Sequence, residues 1–115
     1  MEERKPLNVA VIGGGSFGTA LTKIFSDNAG HCHLWMHNEQ DAAHLQRFGH
    51  NPKYLSSVGF AKGSVTVHTE VNAAVAEADA VVLAVPSAFV KEVLLKLAPA
   101  ALDGKLVCTA IKGII

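Results

Sequence analysis

The chain has 115 residues, half of them hydrophobic and 17% charged, which suits one domain with a real core and argues against disorder. Ten Lys+Arg balance ten Asp+Glu, which argues against a strongly basic nucleic-acid binder and against a polyanionic tail. No apolar run reaches the length of a membrane span, and two cysteines make neither a disulfide framework nor a metal spacing.

The opening, Met1–Pro6, is charged and leads into only a short apolar run. No secretory signal is expected there, and a cytoplasmic, reducing setting fits the cysteine usage. Leu7–Ile12 is rich in β-branched residues and stops at Gly13-Gly14-Gly15, as a buried parallel strand does. After Gly18 the period changes. Ala20, Leu21, Ile24 and Phe25 recur at helical spacing, and Asn28-Ala29-Gly30 closes the segment. His31–Met36 reads as a second strand and Glu39–Phe48 as a second helix, with Ala42, Ala43 and Leu45 on one face. Gly49–Ser64 contains Pro52 and three glycines and is the longest loop candidate.

Val65–His68 reads as a short strand and Val71–Ala78 as a short Ala-rich helix. Ala80–Val85 is the most apolar strand, ended by Pro86. Ser87 is expected to cap the next helix, whose buried stripe would be Val90, Val93, Leu94 and Leu97. Leu106–Ala110 reads as a fifth strand, with Lys112-Gly113 just past its end. Strands alternating with helices predict an α/β fold, a Rossmann-type doubly wound parallel sheet of about five strands with helices on both faces. Ligands of such sheets bind at the carboxyl ends of the strands, where strand order reverses. The glycine loop, Trp35–His37, Pro86 and Lys112 are expected to converge on that edge.

Gly13-Gly14-Gly15-Ser16-Phe17-Gly18 fits G-x-G-x-x-G, and its place between a strand and a helix is the context that gives this pattern meaning. Gly13 would allow the tight turn, Gly15 the approach of a pyrophosphate, and Gly18 close packing of helix on strand. N–H groups at the helix start would face the phosphates. No Lys-Ser/Thr pair follows Gly18, which disfavours a Walker-type loop. An acid at the end of the second strand would hold a ribose 2′-hydroxyl. The sequence there is Trp35-Met36-His37-Asn38-Glu39, with the acid late. His37 and Asn38 donate hydrogen bonds instead, so the reading favours NADP, or use of both cofactors, over strict NAD.

Other groups weigh less. His31 and His33 share one strand face, but no Cys/His quartet accompanies them, and no metal site is expected. Cys32 and Cys108 are expected to be buried thiols, Asp79 a turn residue, and Trp35 and Phe89 packing groups. Lys112 reads either as a solvated charge or as a phosphate or carbonyl contact.

Several of these segments together resemble the bacterial NAD(P)-dependent glycerol-3-phosphate dehydrogenases. The segments are Gly13-x-Gly15-Ser16-Phe17-Gly18-Thr19-Ala20-Leu21, Leu34-Trp35-Met36-His37, Asn51-Pro52-Lys53-Tyr54-Leu55, Ala78-Asp79-Ala80 through Ala84-Val85-Pro86-Ser87, and Ala110-Ile111-Lys112-Gly113. The likeness runs from about Leu7 to the last residue. It implies reduction of dihydroxyacetone phosphate to sn-glycerol 3-phosphate for glycerophospholipid synthesis. By this resemblance Ser16 and Phe17 would contact the cofactor diphosphate, and His37 would lie at the adenosine 2′-position. Tyr54 would stand on the cofactor side of the long loop, Pro86 would border the nicotinamide, and Lys112 would reach cofactor and substrate.

Ser56 follows Leu55 where the family commonly has Pro, and Phe17 stands where Trp or Tyr is usual. The resemblance also implies a second, helical domain that carries the proton-donating lysine and is absent from residues 1–115. The expectation is therefore an incomplete dinucleotide-binding domain, inactive by itself, with exposed apolar surface through which a homo-oligomer would form. The competing readings are a non-catalytic dinucleotide-binding module and another two-domain hydroxy-acid dehydrogenase.

Overall fold

A computed structural model describes residues 7–28, 31–53, 59–60 and 63–109. In chain order the elements are β1 (Val9–Ile12), α1 (Ser16–Asn28), β2 (Cys32–Trp35), α2 (Glu39–Phe48), β3 (Val65–His68), α3 (Val71–Val75), β4 (Ala80–Leu83), α4 (Ser87–Lys96) and β5 (Leu106–Thr109). The strands form one parallel sheet in the order β3-β2-β1-β4-β5. The expected doubly wound topology is therefore present, and strand order reverses between β1 and β4.

β1, β2 and β4 are buried along their whole length, which explains their unbroken apolar runs. Alternate residues face opposite layers. Ala10, Ile12, Trp35, Val81 and Leu83 pack against Val71, Ala74 and Val75 of α3 and Val93 of α4. Val9, Val11, Cys32, Leu34 and Val82 pack against Leu21 and Phe25 of α1 and Ala42 and Leu45 of α2. Each buried Val, Leu or Ile contributes about 1.5–3 kcal/mol, so these two layers dominate stability. Burial pushes the Cys32 thiol up to about 12, with a smaller opposing contribution from Thr22, so it is inert at neutral pH.

Several boundaries differ from the sequence reading. α1 begins at Ser16, so Gly18 lies inside its first turn rather than before it. α3 ends at Val75, three residues early, where the chain turns back to enter β4. β4 ends at Leu83 because its partner β1 ends at Ile12; the last tie is Ala84 N–H to the Ile12 carbonyl at 2.9 Å. Ser87 does not cap α4. Pro86 holds the cap position and Ser87 is already the first helical residue.

The far edge differs most. β5 is exposed at all four positions, and Leu106 is 66% exposed. Cys108 is accordingly an exposed thiol, not a buried one. Of the stripe assigned to α4, Val93 is buried, Val90 and Leu97 are partly covered, and Leu94 is exposed. Phe89 is exposed too, and so is not a core packing group. Helical spacing marks a stripe, but it does not state how much surface is available to cover it.

At the opposite edge, imidazoles tie β2 to β3. His33 Nδ1 lies 2.9 Å from His68 Nε2, and His31 Nε2 bonds the Thr66 hydroxyl. Burial, then the neighbouring His31, holds the pKa of both His33 and His68 below the usual histidine value, against the opposing pull of Glu77 and, for His68, Glu70. The unfolded chain therefore takes up protons first as pH falls. The stability contributed by the neutral pair is complete above the unfolded value near 6.5 and is lost as pH falls through the lower folded values. The melting temperature should fall from pH 7.5 to pH 5.5. His68→Gln, which removes one titrating ring, should flatten that dependence. Equal slopes in thermal melts of the two proteins would refute this origin.

Candidate functional site

Parallel pairing aligns the carboxyl ends of the strands. Ile12 is level with Trp35 on one side and Leu83 on the other. The chain leaves β1 at this edge, beside the exit of β4, and turns at once into α1. Gly13 has φ +131°, which L side chains rarely adopt. A Cβ there would also lie 2.9 Å from the carbonyl carbon and oxygen of Ala84. At Gly18 a Cβ would overlap the Gly13 carbonyl oxygen. Helix, turn and strand thus meet backbone to backbone.

Gly15 is the opposite case. A Cβ on it would meet nothing within 4 Å. Packing inside the protein does not require glycine there, so the open space over Gly15 is what the missing side chain preserves. This space sits at the amino end of α1, whose first turn carries no acidic residue. The unpaired N–H groups of that turn carry partial positive charge and favour an anion. α2 has the contrary arrangement: Asn38 caps it by accepting from Asp41 N–H at 3.0 Å, and Glu39 and Asp41 occupy its first turn. Of these two amino ends, that of α1 has no acidic residue in its first turn.

A polar lock holds the turn from behind. Asn51, fully buried, donates from Nδ2 to the Gly14 carbonyl at 2.8 Å and to Thr19 Oγ1 at 3.0 Å. Thr19, also fully buried, donates to the same Gly14 carbonyl at 3.4 Å. Asn51 Oδ1 accepts from Lys53 N–H at 2.9 Å, and Lys53 Nζ pairs with Asp41 Oδ2 at 3.1 Å. The long loop is thereby tied both to the glycine turn and to the start of α2. Thr19, Asn51 and Lys53 received no role in the sequence reading. Their signal was membership in two of the segments that carry the family resemblance, Gly13–Leu21 and Asn51–Leu55.

Gly13, Gly15, Gly18 and the start of α1 at Ser16 come together as expected, and Phe17 beside them is exposed. His37 is exposed just beyond β2, its ring centroid 6.2 Å from that of Trp35. Trp35 is a packing group, 5% exposed, and donates from Nε1 to the Thr69 carbonyl. Met36, beside His37, backs onto the glycine turn: a Cβ at Gly14 would lie 2.8 Å from its Cγ. Pro86 is exposed past β4, two residues beyond Ala84. Asp79 joins the strand entrances by accepting from Asn8 N–H at 3.0 Å. Tyr54 and Lys112 lie outside the described residues.

Residues 8–115 match the family described as the NAD-dependent glycerol-3-phosphate dehydrogenase N-terminus. A glycerol-3-phosphate dehydrogenase [NAD(P)+] of Teredinibacter turnerae is 40% identical over 108 residues, which are 94% of this chain and 32% of that protein. The enzyme of the same description from Ectopseudomonas mendocina is 37% identical over 99% of this chain and 32% of its own length. Among solved structures, a glycerol-3-phosphate dehydrogenase of Plasmodium falciparum superposes with a TM-score of 0.80 at 20% identity, over 96% of this chain and 33% of that one; this shows the fold. The chain spans about a third of the length of the curated relatives it matches. With its glycine turn, strand order and match over residues 8–115, the chain belongs to the family of NAD-dependent glycerol-3-phosphate dehydrogenase amino-terminal regions.

Proposed function

We propose that the chain is the cofactor-holding part of an NAD(P)-dependent glycerol-3-phosphate dehydrogenase of the cytoplasm, which interconverts dihydroxyacetone phosphate and sn-glycerol 3-phosphate. The observation that carries the reading is the open space over Gly15, set between two glycines that packing does require. The residues fit a dinucleotide: the turn has room for a pyrophosphate, and the helix end behind it carries no negative charge. When bound, the nicotinamide supplies the hydride exchanged with the substrate carbon.

The protein's part is placement. Backbone N–H groups from Gly15 to Gly18 hold the diphosphate. Ser16 and Phe17 flank it. Asn51 and Thr19 keep the Gly14 carbonyl turned inward, so that the turn keeps its shape when the phosphate arrives. His37, where an acid would select a ribose hydroxyl, supports use of NADP. By the family resemblance Pro86 would border the nicotinamide, and the resemblance reserves a cofactor-side role for Tyr54 and a cofactor and substrate contact for Lys112, both outside the described residues. The remaining substrate contacts and the proton donor belong to the part of the relatives' length that this chain does not span.

Gly15→Val should abolish NADPH binding in a fluorescence titration while the melting temperature stays unchanged. Gly18→Val should instead unfold the protein, because its side chain collides with the Gly13 backbone. Unchanged affinity in Gly15→Val would remove the site from this turn. Asn51→Ala, which leaves the Gly14 carbonyl and the Thr19 hydroxyl with only their long mutual hydrogen bond, should cost about 1–3 kcal/mol of stability, read by urea denaturation. The purified chain should bind NADPH yet consume none when dihydroxyacetone phosphate is added; steady oxidation in that assay would overturn the assignment of the proton donor elsewhere.

A further inference from the structure

We propose that Lys53 is the residue by which this chain recognises the 2′-phosphate of NADP, and that Asn51 and Asp41 position it for that contact. The inference rests on the dinucleotide reading above. It starts from the start of α2, where the adenosine ribose of such a cofactor lies between the glycine turn and the end of β2.

Charge at that place is unfavourable for NADP without help. Glu39 and Asp41 both lie in the first turn of α2. A phosphate monoester carries between one and two negative charges at neutral pH, and two carboxylates beside it would repel it. His37, at the end of β2, supplies hydrogen bonding, but it does not cancel a pair of carboxylates. Lys53 does more. Its ammonium sits 3.1 Å from Asp41 and neutralises that carboxylate. An ammonium carries three N–H donors, and the contact with Asp41 leaves others for an incoming oxygen. The side chain is 57% exposed, so an incoming phosphate can reach it, whereas Asp41 is 16% exposed and holds it from below.

The backbone of Lys53 is equally fixed. Its N–H is bonded to Asn51, and Asn51 is bonded to the Gly14 carbonyl. The same three-residue stretch that braces the glycine turn therefore carries a cation to the start of α2. Asp41 in turn is bonded through its N–H to Asn38, the neighbour of His37. Two contacts thus link Lys53 through Asp41 to Asn38, the chain neighbour of His37. A surface ion pair of this kind stabilises a fold little, so its fixed geometry has its greater effect on a bound anion.

The test titrates NADPH and NADH separately into the 115-residue chain and its variants. Lys53→Met should weaken NADPH about tenfold, the effect of one charged hydrogen bond, and leave NADH within about twofold. Lys53→Arg should keep the preference for NADPH. Equal weakening of both cofactors by Lys53→Met, or no change in either, would overturn the proposal, as would a wild-type chain that binds NADH and rejects NADPH. Gly15→Val separates the two levels of reading. If it leaves both affinities intact, the dinucleotide site itself is misplaced. If it abolishes both while Lys53→Met does not discriminate, only the role of Lys53 falls.

Discussion

The structure depends on one close approach. The first turn of α1 lies against the turn that leaves β1, with Gly18 facing the Gly13 carbonyl at a separation that admits no side chain. That contact sets the direction of α1 relative to the sheet. It brings the turn beside Ala84 at the exit of β4. The reversal of strand order, the helix end and the open space over Gly15 coincide because of this packing. A bulkier turn would separate them.

Around that contact the polar groups divide into two kinds. Asn51 and Thr19 are buried and bonded to a backbone carbonyl, so they maintain the shape of the turn. Lys53 and His37 are exposed, Lys53 beside the start of α2 and His37 just past the end of β2. A rigid interior with donors on its rim is what anion recognition needs, since the donors need no rearrangement when the ligand enters. The two helices whose starts border this space differ accordingly. The first turn of α1 carries no acidic residue, while α2 is capped by Asn38 and has Glu39 and Asp41 in its first turn. No helix among the described residues is long and apolar enough to cross a membrane.

Much of the architecture could be read from the chain because local signals agreed. Unbroken β-branched runs such as Val9–Ile12 and Ala80–Leu83 occur where a strand is covered on both faces, and both are so covered. Glu39–Phe48 was legible to the residue because Asn38 and Gly49 cap both ends. The ends of α3 and β4 were less legible, since they depend on where a neighbouring strand stops. β5 and α4 misled most. Leu94, Phe89 and Cys108 have core-like chemistry, but the sheet places them at an edge with too little covering surface.

By itself, then, the sequence determined the order of elements, the parallel sheet and the glycine turn, because each follows from the spacing of residues near one another in the chain. It also carried the family resemblance, through motifs that match residue by residue. The motif assigned separate roles to Gly13, Gly15 and Gly18, and tertiary structure supplied the contacts behind them: the Ala84 backbone against Gly13, the Gly13 carbonyl against Gly18, and open space over Gly15. Tertiary structure decided also that Asn51, more than thirty residues from the turn, bonds the Gly14 carbonyl and Thr19 and ties Lys53 to them. Hydrogen bonds across such distances depend on how the chain returns, and no local pattern encodes that path.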